Sequence, residues 1–302
     1  MRWTPPDLTG RTYAVTGGNA GIGYFIAEQL TAAGADVALL ARNTQRAQAA
    51  ASAIHGQVGR EIAAIIPLDL ADLDSVAAAA SRLSGLDRLH GLIHNAGINA
   101  AKQRQTTRNG FEVAVGTNHL GHFALTALTM PILAATPGSR VVPVGSTMTK
   151  AASFNSEDLQ LERSGYSAQR AYTQSKHAIL LFTAELDRRL RAAGTDVRAI
   201  AAHPGLCIDA FSPARPGINR PTRIRLTAPI QGKDRGAWPA LRAATDPDAR
   251  SGQYYGPKYG SFGPPVLASL PGTSTDPQIA AKLWAESEKL TGIPFHLPAG
   301  SQ

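Results

Sequence analysis

From residue 12 onward, short apolar runs alternate with longer stretches whose apolar positions recur at helical spacing. Apolar runs of this length, bounded by turn residues, read as buried strands. The amphipathic stretches between them read as crossover helices, so the pattern predicts βαβ units feeding one parallel sheet. Residues 13–15 form the first expected strand, and 22–33 the first helix, ended by Gly34. Residues 37–40 and 62–66 are the next strands, with an Ala-rich helix starting at Thr44 between them. Asp72 stands where its carboxylate can cap a helix running through Leu83. A fourth strand is expected over 89–94, two helical stretches over 106–134 and a fifth strand over 141–144. Pro143 is awkward there, because it withholds a ladder donor from a central strand. A helix over 171–191, a strand over 196–202, a last strand over 253–255 and a last helix over 277–290 complete the series. No repeat, low-complexity block or linker divides the chain, so residues 1–302 are expected to form one doubly wound α/β domain.

Composition narrows the classes. With 43% hydrophobic and 17% charged residues, a long disordered or polyanion-coating tail is excluded. The single cysteine, Cys207, excludes an internal disulfide and a Cys-based zinc cluster, and suits a reducing cytoplasm as a small apolar filler. Pro5, Pro6 and Asp7 interrupt the stretch a secretory signal would need, and no run reaches the roughly 18 apolar residues of a spanning helix. A soluble, cytoplasmic protein without a membrane span is therefore expected. The net charge of +8 is concentrated at 210–250, where eight basic residues face three acids among six prolines. Prolines at that density predict a loop-rich insertion rather than a helix that reads nucleic acid, so no nucleic-acid partner is expected. His94, His119, His122 and His203 lie on different elements without ligand-type spacing, so no metal is expected either.

The chemistry shows in five places. The first strand runs straight into Thr16-Gly17-Gly18-Asn19-Ala20-Gly21-Ile22-Gly23 and then a helix. Glycines there let backbone approach a pyrophosphate, whose charge the free N–H groups of the helix N-terminus stabilise; a tight structural turn is the plainer alternative. The second strand ends at Arg42-Asn43, where a dinucleotide fold presents a side chain to the adenosine ribose. A carboxylate would repel a 2′-phosphate, whereas Arg42 attracts one, which favours NADP over NAD. Asn95-Ala96-Gly97 closes the fourth strand with small residues, suiting a ribose or nicotinamide across the sheet edge or a plain turn. Tyr172 and Lys176 stand four apart, on one face of a helix. A phenol is a poor acid-base catalyst at neutral pH unless a nearby ammonium favours phenolate. Tyr166 and Arg170 share the same spacing and serve as an internal decoy. Ser146 ends the fifth strand at the carboxyl edge of the sheet, where its hydroxyl could polarise a carbonyl.

In order along the chain, Thr16-Gly17 with Gly21-Ile22-Gly23, Asp69-Leu70, Asn95-Ala96-Gly97, Asn118, Ser146, Tyr172 with Lys176, and Pro204-Gly205 resemble the short-chain dehydrogenase/reductase family. The stretches 118–123 and 171–176, and the spacing of 26 between Ser146 and Tyr172, resemble its retinol-dehydrogenase and protochlorophyllide-reductase-like branch. The resemblance covers almost the whole chain and implies a Rossmann fold and an NADP-dependent oxidoreductase acting on a small-molecule carbonyl or alcohol. It implies that Tyr172 is the general acid in reduction and the base in oxidation, that Lys176 holds the nicotinamide ribose, and that Ser146 bonds the carbonyl oxygen. Asn118 would hold a water that links Lys176 to solvent. Asp69 and Leu70 would contact adenine, while Pro204, Gly205 and Leu206 would pass beside the carboxamide and pyrophosphate. Family members often pair through helices that fall here near 118–134 and 171–191, which implies a homodimer or homotetramer.

Three positions depart from the family pattern. Pro143 and Gly145 stand where related chains usually carry Asn and Ser, and Asp209 where the loop after Pro204-Gly205 commonly offers a Thr hydroxyl. A carboxylate beside a pyrophosphate is repulsive unless it turns away or pairs with an arginine of the insertion. Residues 206–250 are expected to form a lid over the nicotinamide end. Phe211, Ile218, Ile224, Leu226, Ile230 and Trp238 would line an apolar pocket, and Arg215, Arg220, Arg223 and Arg225 would meet an anionic group or merely solvate the lid. Two rivals stay open, an epimerase or cyclase that uses NADP without net redox and an NADP(H)-sensing binding protein. Ser146, Tyr172 and Lys176 together argue against the sensor, which needs no proton donor.

Overall fold

The computed structural model describes residues 3–150, 153–219, 230–270 and 272–297. The first half of the chain follows the predicted alternation, as β1 (Thr12–Thr16), α1 (Gly21–Ala32), β2 (Asp36–Ala41), α2 (Thr44–Val58), β3 (Ala64–Pro67), α3 (Leu73–Ser84) and β4 (Gly91–His94). Asp72 caps α3 by accepting the Asp74 N–H, as its position predicted, and Asn43 caps α2 by accepting the Arg46 N–H. The second half comprises α4 (Val113–Val115), α5 (Gly121–Ala135), β5 (Arg140–Pro143), α6 (Ala168–Ala192), β6 (Arg198–Ala199), β7 (Ala201–Ala202), β8 (Cys207–Ile208) and β9 (Gln231–Gly232). After these come α7 (Lys233–Gly236), α8 (Trp238–Thr245), β10 (Tyr254–Pro257), β11 (Pro265–Leu267) and α9 (Pro277–Thr291).

Six parallel strands in the order β3-β2-β1-β4-β5-β6 form the central sheet, the doubly wound arrangement in which the chain order reverses between β1 and β4. Strand side chains alternate between two apolar layers. Val15, Leu39, Ile93 and Val142 meet α1, α2 and α8 on one face, whereas Ala14, Leu40, Leu92 and Val141 meet α3, α5 and α6 on the other. Trp284 of α9 closes the second layer against Phe123 and Phe182, with ring centroids 5.3 and 5.8 Å away.

Four expectations change. Pro143 sits in the ladder, and the strand beside it breaks in two. Ile200 donates to Val141 and Gly145 donates to Ala202, so the alternation aims the missing Pro143 N–H at the same neighbour, between β6 and β7. β7 then pairs in parallel with β10, which in turn pairs antiparallel with β11, a strand the hydropathy pattern did not predict. The two helices expected over 106–134 are one broken helix starting at Val113, because Thr106 and Glu112 form an antiparallel bridge and Glu112 caps α4 through the Val115 N–H. This helix passes through a π-turn at Gly116–Leu120 into α5. The loop-rich insertion is shorter than the expected 206–250. Residues 238–245 are α8, with Leu241 fully buried, and Pro239 is tolerated in its first turn, where no intrahelical donor is needed. Arg220, Arg223, Ile224, Arg225 and Leu226 lie outside the described residues.

Candidate active site

The exits of β1, β2 and β4 open together onto a cleft of about 510 Å³. Between β1 and α1 the turn takes left-handed backbone at Gly17 (φ 65°) and Gly21 (φ 58°), which a side chain would strain. A Cβ on Gly23 would lie 2.3 Å from the Gly17 carbonyl, so Gly23 lets α1 seat against the turn and stands behind the cleft wall. The turn is tied sideways to β4: Asn95 Nδ2 donates to the Thr16 carbonyl at 3.1 Å, and the Ala96 N–H donates to Thr16 Oγ1 at 3.0 Å.

Most of the sequence-predicted binding residues meet here. Gly17, Asn19, Gly21 and Ile22 line the turn side, Arg42 and Asn43 the exit of β2, and Asp69 and Leu70 the exit of β3. Asn95, Ala96 and Gly97 line the β4 side. Eight lining residues were missed: Ala20, Leu40, Ala41, Arg46, Leu68, Ile98, Thr117 and Lys233. Arg46 was findable, since it follows Arg42 by one helical turn. Pro204, Gly205 and Leu206 do not line this cleft; Leu206 N–H donates to the Ser261 carbonyl, and Gln231 Nε2 donates to that of Pro204. Leu70 is buried against Gly121, where a Cβ would meet the Leu70 carbonyl at 2.4 Å, and Asp69 folds its carboxylate back onto the Ala71 N–H.

The predicted proton-handling residues converge where α6 crosses the exits of β4 and β5. Ser167 caps α6 by accepting the Arg170 N–H, and the helix then carries Tyr172, half-buried, and Lys176, buried, on one face. Lys176 Nζ lies 5.9 Å from the centre of the Tyr172 ring and donates to the Val144 carbonyl at 2.9 Å. That bond pins α6 to the strand end two residues before Ser146. Burial pushes the Lys176 ammonium down to about 8. Ser146 Oγ accepts the Met148 N–H at 3.2 Å, which leaves its proton to donate elsewhere. A Cβ on Gly97 would lie 3.3 Å from Asn118 Oδ1 and 3.5 Å from Lys176 Nζ, so only glycine leaves that corner open. Asn118 stands in the π-turn and clamps the corner from below. Its Oδ1 accepts the Ile98 N–H, and its Nδ2 donates to the Ile98 carbonyl and to Ser175 Oγ.

The decoy pair separates cleanly. Tyr166 precedes α6 and donates to Glu112 Oε1 at 3.1 Å, while burial and that carboxylate push its phenol up to about 12. Arg170 donates to the Gly165 carbonyl. The histidines are buried structural groups: His122 Nε2 meets Thr16 Oγ1, His94 Nε2 meets Thr126 Oγ1, and burial pushes His122 down to about 4. Among the described residues no cluster of three His, Cys, Asp or Glu could hold a metal. The Cys207 thiol donates to the Pro204 carbonyl, and burial pushes it up to about 12.

Two insertion residues behave unlike the expectation. Arg215, expected to meet an anionic substrate group, is committed to Glu28 through bonds of 2.5 and 2.9 Å. Asp209 pairs with Lys233 at 2.6 Å rather than with an arginine. Ile218 and Trp238 pack into the α1 layer, and Trp238 Nε1 donates to Gln29 Oε1. Trp238 also lines, with Ile230 and Arg215, a separate pocket of about 570 Å³.

The cleft suits a dinucleotide on its own evidence. The open glycine turn can cradle phosphate, the buried Thr117 hydroxyl at its wall has no hydrogen-bond partner among the described residues, and Lys176 has one acceptor there for three donors. Comparison with known proteins agrees. Residues 11–212 match the short chain dehydrogenase family. The chain is 36% identical to mouse polyprenol dehydrogenase over 295 residues, covering 95% of this chain and 85% of that protein. It is 35% identical to human retinol dehydrogenase 13, covering 95% and 86%. A crystal structure of an uncharacterized protein from Mycobacterium paratuberculosis superposes with a TM-score of 0.81 at 37% identity, covering 98% of this chain and 100% of that one. A short chain dehydrogenase from Escherichia coli CFT073, solved in complex with NADPH, superposes with a TM-score of 0.54 at 26% identity, covering 67% and 79%. The chain therefore belongs to the short chain dehydrogenase family, in its retinol-dehydrogenase-like branch.

Proposed function

We propose that the chain is an NADP(H)-dependent oxidoreductase that interconverts a carbonyl and an alcohol on a mainly apolar small molecule, with Tyr172 as the general acid and base. The observation that carries this reading is the placement of Lys176, buried at the corner formed by Gly97 and the Val144 carbonyl with the Tyr172 ring on its outer side. The bound nicotinamide supplies or accepts the hydride. The chain supplies position and protons.

Arg42 and the following Arg46 are exposed at the exit of β2, where they favour a 2′-phosphate, and the NADPH complex of the Escherichia coli relative supports the same cofactor. Lys176 holds the nicotinamide ribose with the donors it does not give to Val144. Ser146 donates its hydroxyl proton to the substrate oxygen, and Tyr172 delivers or removes the proton at the same oxygen. Asn118 acts through position, fixing Ile98 and Ser175 on either side of the corner. An apolar substrate is supported by the names of the relatives, which act on retinol and polyprenol. No helix among the described residues is long and apolar enough to cross a membrane.

The test is the purified protein with a panel of apolar ketones and aldehydes, followed at the cofactor absorbance with NADPH and with NADH. Turnover with NADPH that exceeds turnover with NADH is expected. A strong preference for NADH, or inertness towards every carbonyl and alcohol of the panel, would overturn the reading.

A further inference from the structure

The neck of the insertion places a second lysine over the glycine turn. β8 and β9 pair in parallel, Cys207 opposite Gln231 and Ile208 opposite Gly232, and so bring Asp209 and Lys233 together although 24 residues separate them. The backbone of Lys233 is fixed on both sides. Its own N–H donates to Ser212 Oγ at 2.9 Å, and Gln29 of α1 donates to the carbonyl of the next residue, Asp234, at 3.0 Å. The helix that starts at Gly21 therefore holds α7 in register with the turn. Lys233 Nζ lies 3.8 Å from where a Cβ on Gly21 would stand, and among the described residues outside Gly21's own helix and chain neighbours no other residue comes within 4 Å of that point. Lys233 lines the cleft with Asn19 and Gly21, whereas Asp209 does not.

We propose that Lys233 is a ligand of the cofactor diphosphate and that Asp209 is its positioning residue, holding the ammonium over the glycine turn. This rests on the dinucleotide reading of the cleft. It answers the departure at Asp209, where a carboxylate replaces the hydroxyl that relatives commonly offer. Alone, that charge would repel a diphosphate; paired at 2.6 Å, it holds an ammonium that lines the cleft and keeps donors to spare. A lysine clamped by its backbone and its counter-ion meets the anion with less ordering to do than a free surface lysine. The diphosphate then shares the ammonium with Asp209, so the two residues act on affinity with opposite sign.

The experiment measures binding of NADPH, ADP-ribose and 2′-AMP by calorimetry to the full chain and to Lys233→Met and Asp209→Asn, with melting curves of each protein without ligand. Lys233→Met is expected to weaken NADPH and ADP-ribose by about 10- to 30-fold and to leave 2′-AMP, which has no diphosphate, within about twofold. Asp209→Asn keeps an acceptor for the ammonium but removes the competing charge, and is expected to tighten NADPH and ADP-ribose by about threefold. A role confined to bracing the neck would make both substitutions weaken binding together, and that result overturns the proposal. So does NADPH binding unaltered by Lys233→Met, which leaves the dinucleotide reading standing. Absence of binding by the unaltered chain to all three ligands would remove both.

Discussion

Lys176, behind Gly97, and Lys233, over Gly21 of the glycine turn, are handled by the fold in opposite ways. Lys176 is 6% exposed, has no carboxylate paired with it among the described residues, and rests on one backbone carbonyl. Lys233 is half-buried at the neck of the insertion, against the carboxylate of Asp209. Burial without a counter-ion makes an ammonium ready to give up its proton near neutral pH, which suits a residue beside a phenol. A counter-ion in partly wet surroundings aims a cation, which suits a residue facing phosphate. The chain thus sets one residue type in two surroundings, buried beside the phenol at the nicotinamide ribose and ion-paired over the glycine turn.

The largest effect that would separate the two is expected from Lys176→Met. Turnover should fall by about 100-fold or more, against a loss at Lys233→Met that appears mainly in cofactor affinity. The same substitution has a stability signature. The Lys176 ammonium is lowered from 10.5 to about 8 on folding, so between those values the unfolded chain binds more protons and stability rises with pH. Below about 8 the burial penalty is fully present, on the order of 3 kcal/mol. Denaturant titrations from pH 7 to pH 10.5 should therefore show the gap between Lys176→Met and the unaltered chain closing as pH rises. A gap independent of pH would contradict the buried, unpaired state of this lysine.

Ser146→Ala comes next, with an expected loss of about 100-fold in turnover and cofactor affinity unchanged. At the adenosine end, Arg42→Ala should lower the preference for NADPH over NADH by about tenfold, read from the ratio of their kcat/KM values. Arg215→Ala sharpens the contrast from outside the cleft. Its partner Glu28 is 7% exposed and would be left buried without a cation, so a loss of about 2 to 3 kcal/mol in stability is expected, with KM for the best substrate unchanged. A raised KM would return Arg215 to the substrate site.

Legibility in the sequence followed the range of the interactions. The glycine turn, the cap at Asp72, and the four-residue spacing of Tyr172 and Lys176 depend on residues within one turn or one helix, so local pattern displayed them, and the family resemblance singled out that pair. The decoy at Tyr166 could not be dismissed that way, because its partner Glu112 lies 54 residues back. Lys233 stayed hidden for the same reason, since a short ladder between β8 and β9 brings it to Asp209. α8 was masked by prolines that read as loop, although Pro239 occupies the one turn of a helix where proline does no harm. Pro143 was noticed but its consequence fell on another strand, at the break between β6 and β7.

The central claim is that the Tyr172 hydroxyl moves the proton while other residues hold the cofactor. Tyr172→Phe tests it most directly when NADPH affinity and turnover are measured on the same preparation. Affinity within about twofold of the unaltered chain and turnover lower by about 100-fold or more is the predicted pair of results. Turnover that survives the loss of that one hydroxyl would contradict it.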